Sequence, residues 1–299
     1  MNRVFIINKP KGFTSQDAVS KFKKIMQIKK AGHTGTLDPL ATGVLPILTN
    51  ECTKLSKYLV EHNKEYIATI ELGVQTSTGD SEGEIIDKKP VDDNIFDYDI
   101  NNINKESILY KATQSFIGTI EQTPPIYSAI KVNGKKLYQY ARNSENVTIP
   151  KRQITIYDIN VINVNKEQKQ VTIKVNCSTG TYIRTLCEDI AKALNTDGFT
   201  KELIRTKVDV FDLENAVTFE ELEANKENSN WIIENSFSME DVMKDYPRLE
   251  LDNSQKDLFI NGTQIKTNLS DNTYNIYIQN EYIGLGIVSK NLLKRDVIL

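Results

Sequence analysis

The stretch from Lys30 to Leu45 constrains this chain more than any other. Three glycines (Gly32, Gly35, Gly43) and Pro39 interrupt any helical or alternating rhythm around one carboxylate, Asp38. Glycine permits backbone conformations and close approaches that a side chain forbids. Proline biases the residue before it away from helix. The stretch therefore reads as a rigid loop with little helix or strand of its own, aiming Asp38 and His33. Spacing alone fits ordinary turn chemistry equally well, since Asp before Pro commonly opens a turn.

Composition narrows the classes. A chain of 299 residues with 39% apolar content suggests one large or two moderate domains with real cores. No run approaches a membrane span, and the apolar start Val4-Phe5-Ile6-Ile7 is too short for a signal peptide. Cys52, Cys177 and Cys187 are odd in number and lack a C-x-x-C pair, which suits a reduced, cytoplasmic protein with core thiols. Only two histidines, His33 and His62, are present, so zinc-hydrolase and Ser-His-Asp arrangements have almost no material. No G-x-G-x-x-G or P-loop string occurs, and no cofactor or metal is expected.

The net charge of −3 conceals an asymmetry. Residues 1–66 carry eleven Lys/Arg against five Asp/Glu, and 131–152 carry six against one. Acids dominate elsewhere, nine against three over 79–106 and thirteen against three over 208–254. Concentrated positive charge near the Asp38 loop fits a footprint for phosphates, although each block also fits a solvated face.

The spacing predicts a helix opened by a capping box from Thr14 to Asp17, with Ala18, Val19, Phe22, Ile25 and Met26 on one face. Alternation predicts strands over 66–74 and 171–175, the second leading into Gly180-Thr181-Tyr182-Ile183-Arg184 at a strand end, with a helix after it marked by Leu186, Ile190 and Leu194. Residues 88–107 read as an acidic insertion and 221–238, around the lone Trp231, as a linker. Beyond it, Tyr274–Ile278 and Tyr282–Val288 read as strands of a small β-domain with balanced charge, six against six. The expected architecture is α+β, a mixed and mainly antiparallel sheet with flanking helices and a central cleft. The expected domains are 1–235 (catalytic) and 236–299.

Gly32-His33-Thr34-Gly35-Thr36-Leu37-Asp38-Pro39-Leu40-Ala41-Thr42-Gly43-Val44-Leu45 resembles the signature of the TruB-type tRNA pseudouridine synthases. Asn8-Lys9-Pro10-Lys11-Gly12-Phe13, Pro124 to Arg142, and Gly180 to Arg184 resemble further motifs of that family in its order, from about residue 5 to 208. The resemblance implies isomerisation of the uridine at tRNA position 55, in the T-loop. It also implies a pseudouridine synthase core and a C-terminal PUA-like module. Asp38 would be the nucleophile, attacking either C1′ of the sugar or C6 of the base.

Arg184 would hold Asp38 ionised through a bidentate fork that lysine cannot form. Tyr66 would stack on the base and serve in proton transfer, and Tyr182 and Leu203 would line the pocket; plain packing explains such tyrosines equally well. Lys9 would lie close by, and Arg205 would contact RNA although Ile204 replaces the family's first arginine there. His33 would fill the stack left by the flipped nucleotide, a flip costing about a few kcal/mol. The implied partner is tRNA alone, bound by a monomer with no obligate protein partner and no membrane. Two other readings share these residues: a non-catalytic tRNA-binding or folding module, and a guide-RNA-dependent relative.

Overall fold

The alternating apolar residues assemble a nine-stranded sheet, seen in a computed structural model that describes residues 1–299 apart from Glu61 and Ser144. Its strands are β1 (Val4–Lys9), β2 (Ala31–His33), β3 (Thr42–Thr49), β4 (Lys64–Leu72), β5 (Gly118–Gln122), β6 (Arg152–Asn165), β7 (Gln170–Cys177) and β8 (Gly198–Val208), with the short Phe211–Asp212 beside β8. The main path runs β1-β3-β8-β4-β7-β6-β5, with β2 added on β3. All pairings are antiparallel except β3 with β8.

Helix α1 (Ser15–Met26) starts as its sequence predicts, with Thr14 and Asp17 closing a reciprocal capping box. Its buried Ala18, Val19, Phe22 and Ile25 pack with Phe5, Ile7 and Ile47 of the sheet. The predicted strand over 66–74 is β4, which stops at Leu72 before the positive-φ Gly73.

Three expectations need correction. Arg184 lies not at a strand end but in the first turn of α2 (Ile183–Ala193), whose apolar face buries Ile183, Leu186, Cys187 and Ile190. The supposed linker is two short helices, Phe219–Asn225 and Ser229–Glu234, whose Phe219, Leu222, Trp231 and Ile232 pack against the main core. In the acidic insertion, Ile95 is 1% exposed, with Phe96 and Tyr98 packed beside it, so that segment is anchored to the core.

The second sheet comprises β9 (Arg248–Leu251), β10 (Ile265–Lys266), β11 (Asn272–Ile278), β12 (Glu281–Ser289) and β13 (Leu292–Ile298), in the order β9-β11-β12-β13-β10. It contains the two strands predicted there. Phe259, Ile276, Val288 and Leu293 fill its interior. Leu285 and Val297 belong to a different apolar cluster, together with Val4 and Leu48 of the first sheet and Cys52 of the turn after β3. The three cysteines are free and buried. No described helix is long and apolar enough to cross a membrane.

Candidate active site

The Asp38 loop is held at both ends by strands. His33 closes β2 and Thr42 opens β3, so the motif contains more strand than its glycines suggest. Between them the chain is pinned from several sides. Buried Ser15 accepts from the Leu37 amide at 2.8 Å and donates to the Leu37 carbonyl at 3.1 Å. The Gly12 amide donates to the Pro39 carbonyl at 2.8 Å. Gly43, at φ +100°, lies so close to β8 that a Cβ would stand 2.2 Å from the Arg205 carbonyl oxygen. Only glycine permits that approach.

Asp38 is the partly open group in this frame, its side chain 34% exposed. Arg184 Nε stands 2.8 Å from its Oδ2, while the arginine side chain is 4% exposed. The expected bidentate fork is absent. Nη1 donates to the Thr78 carbonyl at 2.9 Å and lies 3.5 Å from Asp80 Oδ2, and Nη2 donates to the Tyr127 carbonyl at 2.9 Å. The guanidinium is thus shared between two carboxylates and two carbonyls. The Nε contact with Asp38 is an ion pair without an aligned hydrogen bond. Burial of Arg184 is tolerable because Asp80, itself 4% exposed, supplies a second negative charge.

Around this pair opens a cleft that Asp38, Arg184, Tyr66, Tyr182, Leu203 and Arg205 all line. Tyr66, on β4, is 7% exposed, and burial pushes its phenol above the ordinary range, so it is neutral near pH 7. Burial likewise raises Tyr182, whose backbone is clamped by Gln122: Oε1 accepts from the Tyr182 amide at 2.8 Å and Nε2 donates to its carbonyl at 3.0 Å. Leu203 on β8 adds an apolar wall and is 6% exposed.

The surroundings of three more expected site residues are as follows. Arg205 lines the cleft but is fully buried; Nε donates to the Val44 carbonyl at 2.8 Å, with Nη1 and Nη2 directed at the Thr36 and Gly35 carbonyls at 3.5 and 3.3 Å. It braces the Asp38 loop from beneath, with three of its donors directed at loop and β3 carbonyls. Lys9 is also fully buried behind that loop and donates to the Phe13 and Pro10 carbonyls at 2.6 and 3.1 Å. Burial pulls it down to about 8, Asp38 opposing that shift. His33 is partly buried at the end of β2, outside the cleft lining, and burial followed by the Arg205 charge lowers its pKa. Its Nδ1 is buried with no hydrogen-bond partner among the described residues.

Sequence reasoning missed Asp80, Gln122, Ser15 and Lys64. Asp80 stands among the acids of a turn-rich segment, and Gln122 and Ser15 act through backbone atoms distant in sequence. The Lys64-x-Tyr66 spacing was a signal for Lys64, because residues two apart on a strand share a face.

A mixed sheet that places a carboxylate–arginine pair in an open, cation-lined cleft defines the class of site. Residues 23–183 match the profile of the TruB family pseudouridylate synthase N terminal domain, and 184–245 that of the tRNA pseudouridylate synthase B C-terminal domain. The chain belongs to the TruB family of pseudouridylate synthases. A tRNA pseudouridine synthase B of Ralstonia pickettii (strain 12J) is 40% identical over 269 residues, covering 89% of this chain and 80% of the relative. One of Clostridium tetani (strain Massachusetts / E88) is 39% identical over 300 residues, 98% of each. A third, of Oceanobacillus iheyensis, is 45% identical over 223 residues, 75% of this chain and 71% of its own.

Among solved structures, a chain of an archaeal box H/ACA sRNP Nop10–Cbf5 complex superposes with a TM-score of 0.64 at 23% identity, covering 96% of this chain and 78% of its own. A chain of an H/ACA RNP bound to a substrate RNA containing 2′-deoxyuridine gives 0.66 at 22% identity, with 99% and 83% covered. These likenesses establish a shared fold.

Proposed function

We propose that this enzyme converts the uridine at position 55, in the T-loop of tRNA, into pseudouridine, acting as a monomer on tRNA without a guide. Pseudouridine formation in tRNA is the activity its family and relatives support. The single observation that carries the reading to this chain is the Asp38–Arg184 pair, 2.8 Å apart in the cleft. A module that only binds RNA needs no carboxylate held open in the cleft beside a buried arginine.

The reaction breaks the bond between C1′ and N1, turns the base, and forms a bond between C1′ and C5. The C5 hydrogen leaves as a proton and N1 gains one, so no electron donor is needed. Asp38 supplies the nucleophilic carboxylate, oriented by Arg184, which is itself fixed through Asp80 and two carbonyls. Tyr66, neutral and buried, supplies a stacking face, with Leu203 and Tyr182 completing the walls. A base in a folded loop reaches this cleft only when flipped out. His33 sits at the rim of the loop, where its ring serves the vacated stack.

Residues 1–235 form the catalytic part in this reading and 236–299 an accessory PUA-like β-module. Release of tritium from C5-labelled uridine in a tRNA transcript, with no other RNA added, tests the proposal. No release from position 55 with folded protein refutes it.

A further inference from the structure

Lys64 on β4 is a lysine of the cleft wall, 9% exposed. Its Nζ donates to the His62 carbonyl at 2.7 Å and to Thr179 Oγ1 at 3.2 Å. Both acceptors are neutral, and among the described residues no carboxylate is ion-paired with it. An ammonium has three donors, so one is left over. The neighbouring charge is Arg205, which is also positive, and burial together with that charge lowers Lys64 to about 8.

Gly35 lies beside both cations: a Cβ there would stand 3.7 Å from Arg205 Nη1 and 3.8 Å from Lys64 Cε. Arg205 has directed its donors at loop carbonyls. Buried charges are ordinarily paired, and the Arg184 side of the same cleft obeys that rule while the Lys64 side does not. Within the described residues, this side supplies no anion.

We propose that Lys64 is the anion anchor of the cleft, gripping the phosphodiester that adjoins the target uridine and so positioning the nucleotide over Asp38. The proposal rests on the pseudouridine reading above. We assign Lys64 a positioning role, because its Nζ is held by the His62 carbonyl and Thr179 while Arg184 is the cation in contact with Asp38.

The test uses the whole enzyme and T-stem-loop RNAs carrying a neutral methylphosphonate in place of the phosphate on the 5′ or the 3′ side of the target. Wild type should bind one of these two RNAs about ten-fold or more weakly. Lys64→Gln should raise KM on the unmodified RNA by a similar factor with kcat within about three-fold. Its binding should lose about 0.7 from the slope of log K against log salt. On the RNA that wild type binds weakly, variant and wild type should be alike. Lys64→Arg should restore most of the affinity, which a merely structural defect does not predict.

The proposal is overturned if neither neutral linkage weakens wild-type binding, a result that needs no variant. It is equally overturned if Lys64→Gln lowers kcat at an unchanged KM. Absence of tritium release by wild type from the unmodified RNA would refute the pseudouridine reading instead, while the binding comparison would still report on Lys64.

Discussion

Around the cleft, Lys9, Lys64, Arg184 and Arg205 are all at most 9% exposed, whereas in the C-terminal sheet Arg248, Lys294 and Arg295 stay in solvent and Asn275 is the buried polar residue. The two sheets are built from similar strands, so the contrast is not one of architecture. Burying a charge costs several kcal/mol unless partners offset it. That cost arises four times around the cleft, at Lys9, Lys64 and Arg205 of the first sheet and Arg184 of α2, whereas Phe259, Ile276 and Leu293 fill the interior beside the second sheet. A chain places buried charge where an orientation must be held, and leaves it out where packing suffices.

Breaking the comparison at its centre should have the largest effect. Asp38→Asn should lower turnover by about 10³-fold or more while tRNA binding persists, because phosphate contacts rather than the nucleophile set affinity. Tritium release alongside filter binding measures both. Near-normal turnover would remove Asp38 from the chemistry. Next in size, Arg184→Lys should cost about 10²-fold in kcat, since an ammonium cannot serve Asp38, Asp80 and two carbonyls from one position. Activity close to wild type would show that charge alone suffices there.

Smaller effects sharpen the picture. His33→Ala should slow turnover about five- to hundred-fold on folded tRNA, in line with a stacking contribution of about 1–3 kcal/mol. The defect should shrink on an RNA whose target loop is already open; equal slowing on both would assign the ring to loop structure. The smallest effect is on stability. Lys9 titrates near 8 when folded against 10.5 as a free side chain, so between those values the unfolded chain holds more protons. Folding stability should therefore rise with pH across that window through this group. Lys9→Met should lack that part of the rise in urea melts at pH 8 and pH 10.5. An unchanged pH slope would show that the buried ammonium is not strained.

Much of this was legible in local patterns. The capping box at Thr14–Asp17, the alternation over β4, and the C-terminal strand pair all depend on residues a few positions apart. So does the Asp38 motif. What escaped depends on contacts across the sheet. Arg205 looks like a free RNA ligand until β8 is laid parallel to β3, which brings it under Gly35 and Val44. The Glu221–Ser238 stretch looked like a linker because its polar residues outnumber its apolar ones. Yet Thr218 and Glu221 form a capping box, and Phe219 and Leu222 stand one turn apart, a short amphipathic helix hidden in an acidic background.

The restraint on the Asp38 loop has a consequence for where motion occurs during recognition. Ser15 grips Leu37 from both sides, Arg205 faces the Gly35 and Thr36 carbonyls before it, Lys9 reaches the Pro39 carbonyl after it at 3.4 Å, and Gly43 locks against β8. The ordering entropy of this loop is therefore spent during folding, not during binding. Its amides should exchange with solvent only as the sheet itself opens, unlike those of an ordinary surface loop. The RNA, with its cheaper unstacking, is then the partner that does the bending.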